Sequence, residues 1–137
     1  MKIKIVAFAI ATVVLAVVAW HWPRSQAQGL VNVKVPPLSE VAARGKVAFD
    51  ANCAPCHGIN ASGTDKGPPL VHDFYNPGHH ADGAFFLAAK LGVRQHHWRF
   101  GDMPPQPQVT EKQLALIVKY VRELQVANGI TFRPHHM

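Results

Sequence analysis

Cysteine is scarce in this 137-residue sequence: only Cys53 and Cys56 occur, which excludes a disulfide-rich scaffold. Charge is scarce too, at 16% of residues against 48% apolar, so a packed core is expected rather than a disordered chain. Acidic residues are few, 8 against 14 basic, yet the excess does not mark a nucleic-acid binder. Lys2, Lys4 and Arg24 lie in the N-terminal leader, which leaves 11 basic residues against the 8 acidic ones, and no Lys/Arg run occurs. Neither an alternating strand pattern nor an internal repeat is visible. Methionine is limited to three residues, while histidine reaches 9 and proline 11. The length suits one modest domain.

Ile5 to Trp20 form an apolar run interrupted only by Thr12, with Lys2 and Lys4 before it and Trp20, Trp22 and Arg24 closing it. Residues 1–24 therefore read as a membrane anchor or as a signal peptide. The anchor reading relies on Lys4 snorkelling below and Trp20-His21-Trp22 sitting at the interface above, because the run alone is slightly short of a span. The signal reading places cleavage after Ser25-Gln26-Ala27. In both, the two lysines keep the start cytoplasmic and the rest of the chain is exported.

Residues 25–37 read as a linker, residues 38–129 as the domain and residues 130–137 as a tail. Ser39 caps a predicted helix over about 40–52, with Val41, Ala42, Gly45, Ala48 and Phe49 on one stripe. From Ala54 to Ala81 the chain is rich in Gly, Pro, Asn, Asp and His and reads as loop. Asp82 can cap a short helix over about 83–91, with Phe85, Phe86 and Ala89 on one face and Gly92 as its stop. Residues 93–109 return to loop. Thr110 and Gln113 form a capping box, after which Leu114, Ile117, Val118, Val121, Leu124 and Gln125 keep a helical period until Asn128-Gly129. Three helices with long loops around the middle one bury little of themselves, so a large apolar prosthetic group is expected to complete the core.

Cys53-Ala54-Pro55-Cys56-His57 is C-x-x-C-H, the attachment signature of a c-type haem. Each thiol adds to one haem vinyl group, and the adjacent histidine is placed to ligate the iron. A thioredoxin-like pair expects a βαβ context that is missing. A zinc site lacks a second cysteine pair. A disulfide between Cys53 and Cys56 would close a very short loop. For the second axial ligand, Met1 is the initiator and Met137 is the last residue, so Met103 in Gly101-Asp102-Met103-Pro104-Pro105 is the internal candidate. His96 and His97 in the same loop are the rivals, giving bis-histidine ligation.

These residues resemble those of the class I cytochromes c, small mono-haem electron carriers, from about Leu38 to Asn128. Gly45-x-x-x-Phe49 and Tyr120 resemble the family's contacts between first and last helices, and Met103-Pro104 its Met-Pro step. Gly67-Pro68-Pro69-Leu70 resembles a segment whose proline carbonyl accepts from the axial histidine and whose leucine packs on the haem. The resemblance thus implies an all-α, cytochrome c-like fold wrapped around one haem c, with Pro68 orienting His57 and Leu70 forming a haem wall. The His- and Arg-rich stretch from Gly92 to Asp102 departs from the family pattern. Trp98 in it is expected to contact a haem propionate, with His96, His97 and the flanking arginines as further partners. His72, His79 and His80 form another cluster, read as exposed loop in preference to a surface metal site. His135 and His136 read the same way.

The function expected is periplasmic one-electron transfer between redox proteins of the periplasm or membrane. The rivals are the haem subunit of a larger membrane complex and a haem enzyme with an open sixth position.

Overall fold

The computed structural model describes residues 30–134. The leader, the start of the linker and the end of the tail with His135 and His136 lie outside the described residues. Among those described, no helix is long and apolar enough to cross a membrane. Among the described residues the fold is all-α, with four helices: α1 Glu40–Asn52, α2 Ala54–His57, α3 Asp82–Leu91 and α4 Glu111–Ala127. No strand forms among the described residues, where β pairing is limited to one isolated bridge between Val93 and Met103.

Helix α1 begins where the sequence predicts. The Ser39 hydroxyl accepts from the Ala42 N–H at 3.2 Å. The same residue is tied to the other end of the fold, because its N–H and hydroxyl donate to the Glu123 carboxylate at 3.0 and 2.7 Å. Helix α4 opens on the expected capping box: Thr110 Oγ1 accepts from the Gln113 N–H, and Gln113 Oε1 accepts from the Thr110 N–H. Such a cap stabilises a helix by about 1 kcal/mol. Its inner face then buries Leu114, Ile117, Val118, Tyr120, Val121, Leu124 and Gln125. Each large apolar side chain so buried contributes about 1.5–3 kcal/mol relative to exposure.

The two helices cross at Gly45. A Cβ built there would lie 2.0 Å from the Leu116 carbonyl oxygen and 2.9 Å from Tyr120 Cβ, so only glycine permits this approach. One turn further on, Phe49 and Tyr120 pack with ring centroids 5.5 Å apart, both fully buried. Val41, expected on the same stripe as Ala42 and Phe49, faces solvent instead.

Two further expectations are corrected, and two contacts outside the helices are added. The loop predicted from Ala54 to Ala81 contains α2 and two 3-10 turns, Ile59–Ala61 and Asp73–Tyr75. Helix α3 starts at Asp82, with Ala81 at the capping position and no side-chain cap. The Asp82 carboxylate is engaged instead by Arg122 Nε at 2.7 Å, a stronger partner than a backbone amide. The linker docks from Val31 onward: Val31 donates to the Ser62 carbonyl, Lys34 pairs with Asn128 through both backbone groups, and Val31, Val33 and Leu38 pack on the core. The tail also docks, with Ile130 buried and Arg133 bonded to Asp73.

Candidate cofactor-binding site

The C-x-x-C-H segment coils into helix. Cys53 closes α1 by donating to the Phe49 carbonyl, and the N–H groups of Cys56 and His57 donate back to the Cys53 carbonyl at 3.2 and 2.8 Å. Positions i, i+3 and i+4 share one face of a helical turn, so Cys53, Cys56 and His57 are presented together. Both cysteines are free thiols, Cys53 half-buried and Cys56 exposed. Burial, with a smaller contribution from Cys56, pushes the Cys53 thiol up to about 11. Reactive redox cysteines have lowered values, so this environment disfavours a thioredoxin-like role.

His57 Nδ1 lies 2.8 Å from the Pro68 carbonyl oxygen. A carbonyl only accepts, so Nδ1 carries the proton and Nε2 keeps its lone pair. Burial moves the His57 pKa below the usual imidazole value, against a smaller upward pull from Pro68, and so favours the neutral ring that a metal needs. The next residues are held from α4, where the buried Gln125 donates to the Leu70 carbonyl at 2.8 Å and to the Tyr75 carbonyl at 3.1 Å.

A cavity of about 370 Å³ opens beside this turn. That is within the range of small-molecule and cofactor sites, about 300–1,000 Å³. Cys53, His57, Pro68, Leu70, Trp98 and Met103 all line it, and Phe49, Phe85, Leu114, Ile117 and Val118 add apolar walls from three helices. Of Cys53, Cys56, His57, Pro68, Leu70, Trp98 and Met103, Cys56 alone is not in the lining.

Met103 is held by its backbone. Its N–H and carbonyl exchange hydrogen bonds with Val93, both at 2.9 Å, which closes the 93–103 loop. Gly92 makes this possible: it has φ +77°, and a Cβ there would lie 2.6 Å from the Met103 carbonyl oxygen. Inside the loop, Asp102 accepts from the Gln95 N–H and Gln95 accepts from the Gly101 N–H.

Trp98 Nε1 is buried and closes no hydrogen bond. Tyr75 is pushed up to about 12 by burial, against a downward pull from its side-chain contact with Trp98, a contact that does not meet hydrogen-bond geometry at Nε1. A buried indole N–H is normally satisfied, so this one calls for an acceptor inside the cavity. Two free thiols and an oriented imidazole on one turn, a thioether on the cavity wall, apolar sides and an unsatisfied donor together suit a covalently held haem with acidic edge groups.

The histidine loops differ from expectation. His79 and His80 are half-buried rather than exposed, and they meet His97, not His72. His72 packs instead against Phe74 and Trp98, at ring centroid separations of 4.8 and 4.9 Å. Burial lowers the pKa values of His80 and His97, and the neighbouring imidazoles lower them further. Arg122 was not legible as a site residue. It donates to the Tyr75 and His80 carbonyls and lies over the Phe85 ring, so α4 positions the cavity wall through one guanidinium. Its place on the helical period next to Val121 gives no sign of this role.

A family model described as Cytochrome c matches residues 42–125. No curated protein and no solved structure matches the chain.

Proposed function

The chain belongs to the cytochrome c family of haem-binding electron-transfer proteins, and from this premise we propose a one-electron carrier with a single haem c, ligated by His57 and Met103, on the outer face of a bacterial inner membrane. Cys53 and Cys56 hold the group covalently. When bound, it supplies the Fe(III)/Fe(II) couple. His57 offers Nε2 while Pro68 fixes its ring, and Met103 offers a soft thioether that favours the reduced state relative to a second imidazole. Leu70 packs on the group, and the Trp98 N–H donates to a propionate.

One observation carries this reading: Cys53 and His57 on one helical turn and Met103, from a loop far along the chain, line the same apolar cavity. With two protein ligands in place no coordination position is left for substrate, which supports a carrier over a haem enzyme. Lys2 and Lys4 before the apolar run support export, with the leader kept as an anchor and redox proteins of the periplasm or membrane as partners.

Intact mass of the native protein should show one haem and the uncleaved leader; an N-terminus near Gln28 would show that the leader is a removed signal. Met103→Ala should keep the covalent haem but lose the weak near-infrared absorption of the oxidised sulfur–iron bond and bind added imidazole more readily. Met103→His should lower the midpoint potential. An unchanged spectrum and potential in Met103→Ala would move the ligand to His96 or His97.

A further inference from the structure

A second set of ligating side chains stands on the cavity rim formed by the histidine loops. The ligand nitrogens of His79, His80 and His97 all lie within 4.8 Å of one another. His79 Nε2 and His97 Nε2 are 3.1 Å apart, within hydrogen-bonding distance of each other, although they stand 18 positions apart in the chain. Two nitrogens bound to one tetrahedral ion at about 2.0–2.1 Å stand about 3.3–3.4 Å apart, so this pair already has a chelating separation. We propose that His79, His80 and His97 form a metal site of their own, separate from the haem iron, that takes a divalent transition ion such as Zn2+ or Cu2+.

The surroundings are built like those of a ligand set. His80 Nδ1 donates to the Phe74 carbonyl at 2.6 Å, which protonates that nitrogen and leaves the Nε2 lone pair for an ion. This is the same arrangement that orients His57 through Pro68. The Phe74 ring stacks on His97, with centroids 4.8 Å apart and planes 21° apart, and so restrains the third imidazole.

Both loops are anchored. The Asn76 carbonyl accepts from the N–H groups of His79 and His80 at 3.0 and 2.8 Å, and the Val93–Met103 bridge closes the loop bearing His97. Arg122 holds the His80 carbonyl, and its charge is matched by Asp82 at 2.7 Å, so an arriving cation does not face an unpaired one. Three imidazoles with no carboxylate among them select zinc, copper or nickel over magnesium or calcium. Half-burial leaves the fourth position to solvent, which suits an exchangeable ion.

The test uses the oxidised haem-loaded protein with His135 and His136 changed to Ala, so that the tail pair contributes nothing. Titration calorimetry with Zn2+ should give one ion per chain, with affinity at least tenfold weaker in His79→Ala and in His97→Ala. The haem absorbance of each variant reports whether it is folded, independently of metal binding and of the axial assignment. Should a variant lose its haem, electron paramagnetic resonance of Cu2+ in the parent protein decides, with nitrogen couplings from three imidazoles expected. Affinity in either folded variant equal to the parent's, binding without a one-to-one endpoint, or copper signals with fewer than three nitrogens would overturn the proposal.

Discussion

The α1–α4 crossing and the two histidine-bearing loops are held together by different means. The crossing is apolar and nearly solvent-free: Ala42, Phe49, Tyr120, Val121 and Leu124 are all fully buried. The loops leave the Phe74 ring partly exposed and rely on polar anchors reaching across from α4, chiefly Arg122 and Gln125. A helix pair makes its own core, because two periodic stripes cover each other. A loop has no such stripe, so it needs either a prosthetic group to pack on or specific hydrogen bonds to close its carbonyls.

The sharpest way to break this contrast is to remove the attachment of the haem. Changing both Cys53 and Cys56 to Ala leaves the cavity of about 370 Å³ without its apolar content. At about 24 cal/mol per Å³, the cost is at most about 9 kcal/mol, comparable with the whole stability of a small domain. Far-UV circular dichroism should show a largely unfolded chain. Native helicity without haem would mean that the α1–α4 pair stands alone.

Gly45→Ala attacks the crossing itself. The added methyl meets the Leu116 carbonyl at 2.0 Å, backbone that cannot rotate away, so the helices must separate. A loss at the upper end of about 1–3 kcal/mol is expected, read as a lower Tm in the haem-loaded protein. Stability equal to the parent would show that the crossing is not tightly packed.

Arg122→Ala tests the loops. It strips donors from the Tyr75 and His80 carbonyls and leaves Asp82 unpaired, for an expected loss of about 2 kcal/mol. Hydrogen exchange should quicken in residues 75–82 while the amides of α1 stay protected. Uniform loss of protection would show that the two regions unfold as one.

The smallest effect belongs to Glu123. Burial pushes its carboxyl up, but the Ser39 hydroxyl and N–H together with Lys119 outweigh this, so it titrates below the ordinary carboxylate range. A lowered folded pKa means that the stabilisation is complete above the ordinary value and is lost as pH falls through the lowered one. Glu123→Gln should therefore cost about 1 kcal/mol or less at neutral pH, with parent and variant converging in acid. A constant difference at all pH values would assign the effect to packing.

The elements with a local cause are legible in the residues. Ser39 and the Thr110–Gln113 box start α1 and α4 because their side chains bond amides three residues away. The C-x-x-C-H spacing brings Cys53, Cys56 and His57 to one face because a helical turn repeats every 3.6 residues. The G-P-x-L segment was legible only through resemblance, since nothing in its composition shows that Pro68 reaches His57. Tertiary structure alone decided that His79 and His80 meet His97, that Arg122 holds their turn, and that Val31 to Lys34 and the tail dock on the domain. Those contacts join residues 17 to 94 positions apart. No local propensity encodes such pairings: they form when the α1–α4 crossing, made close by the missing Cβ of Gly45, sets where each loop must pass.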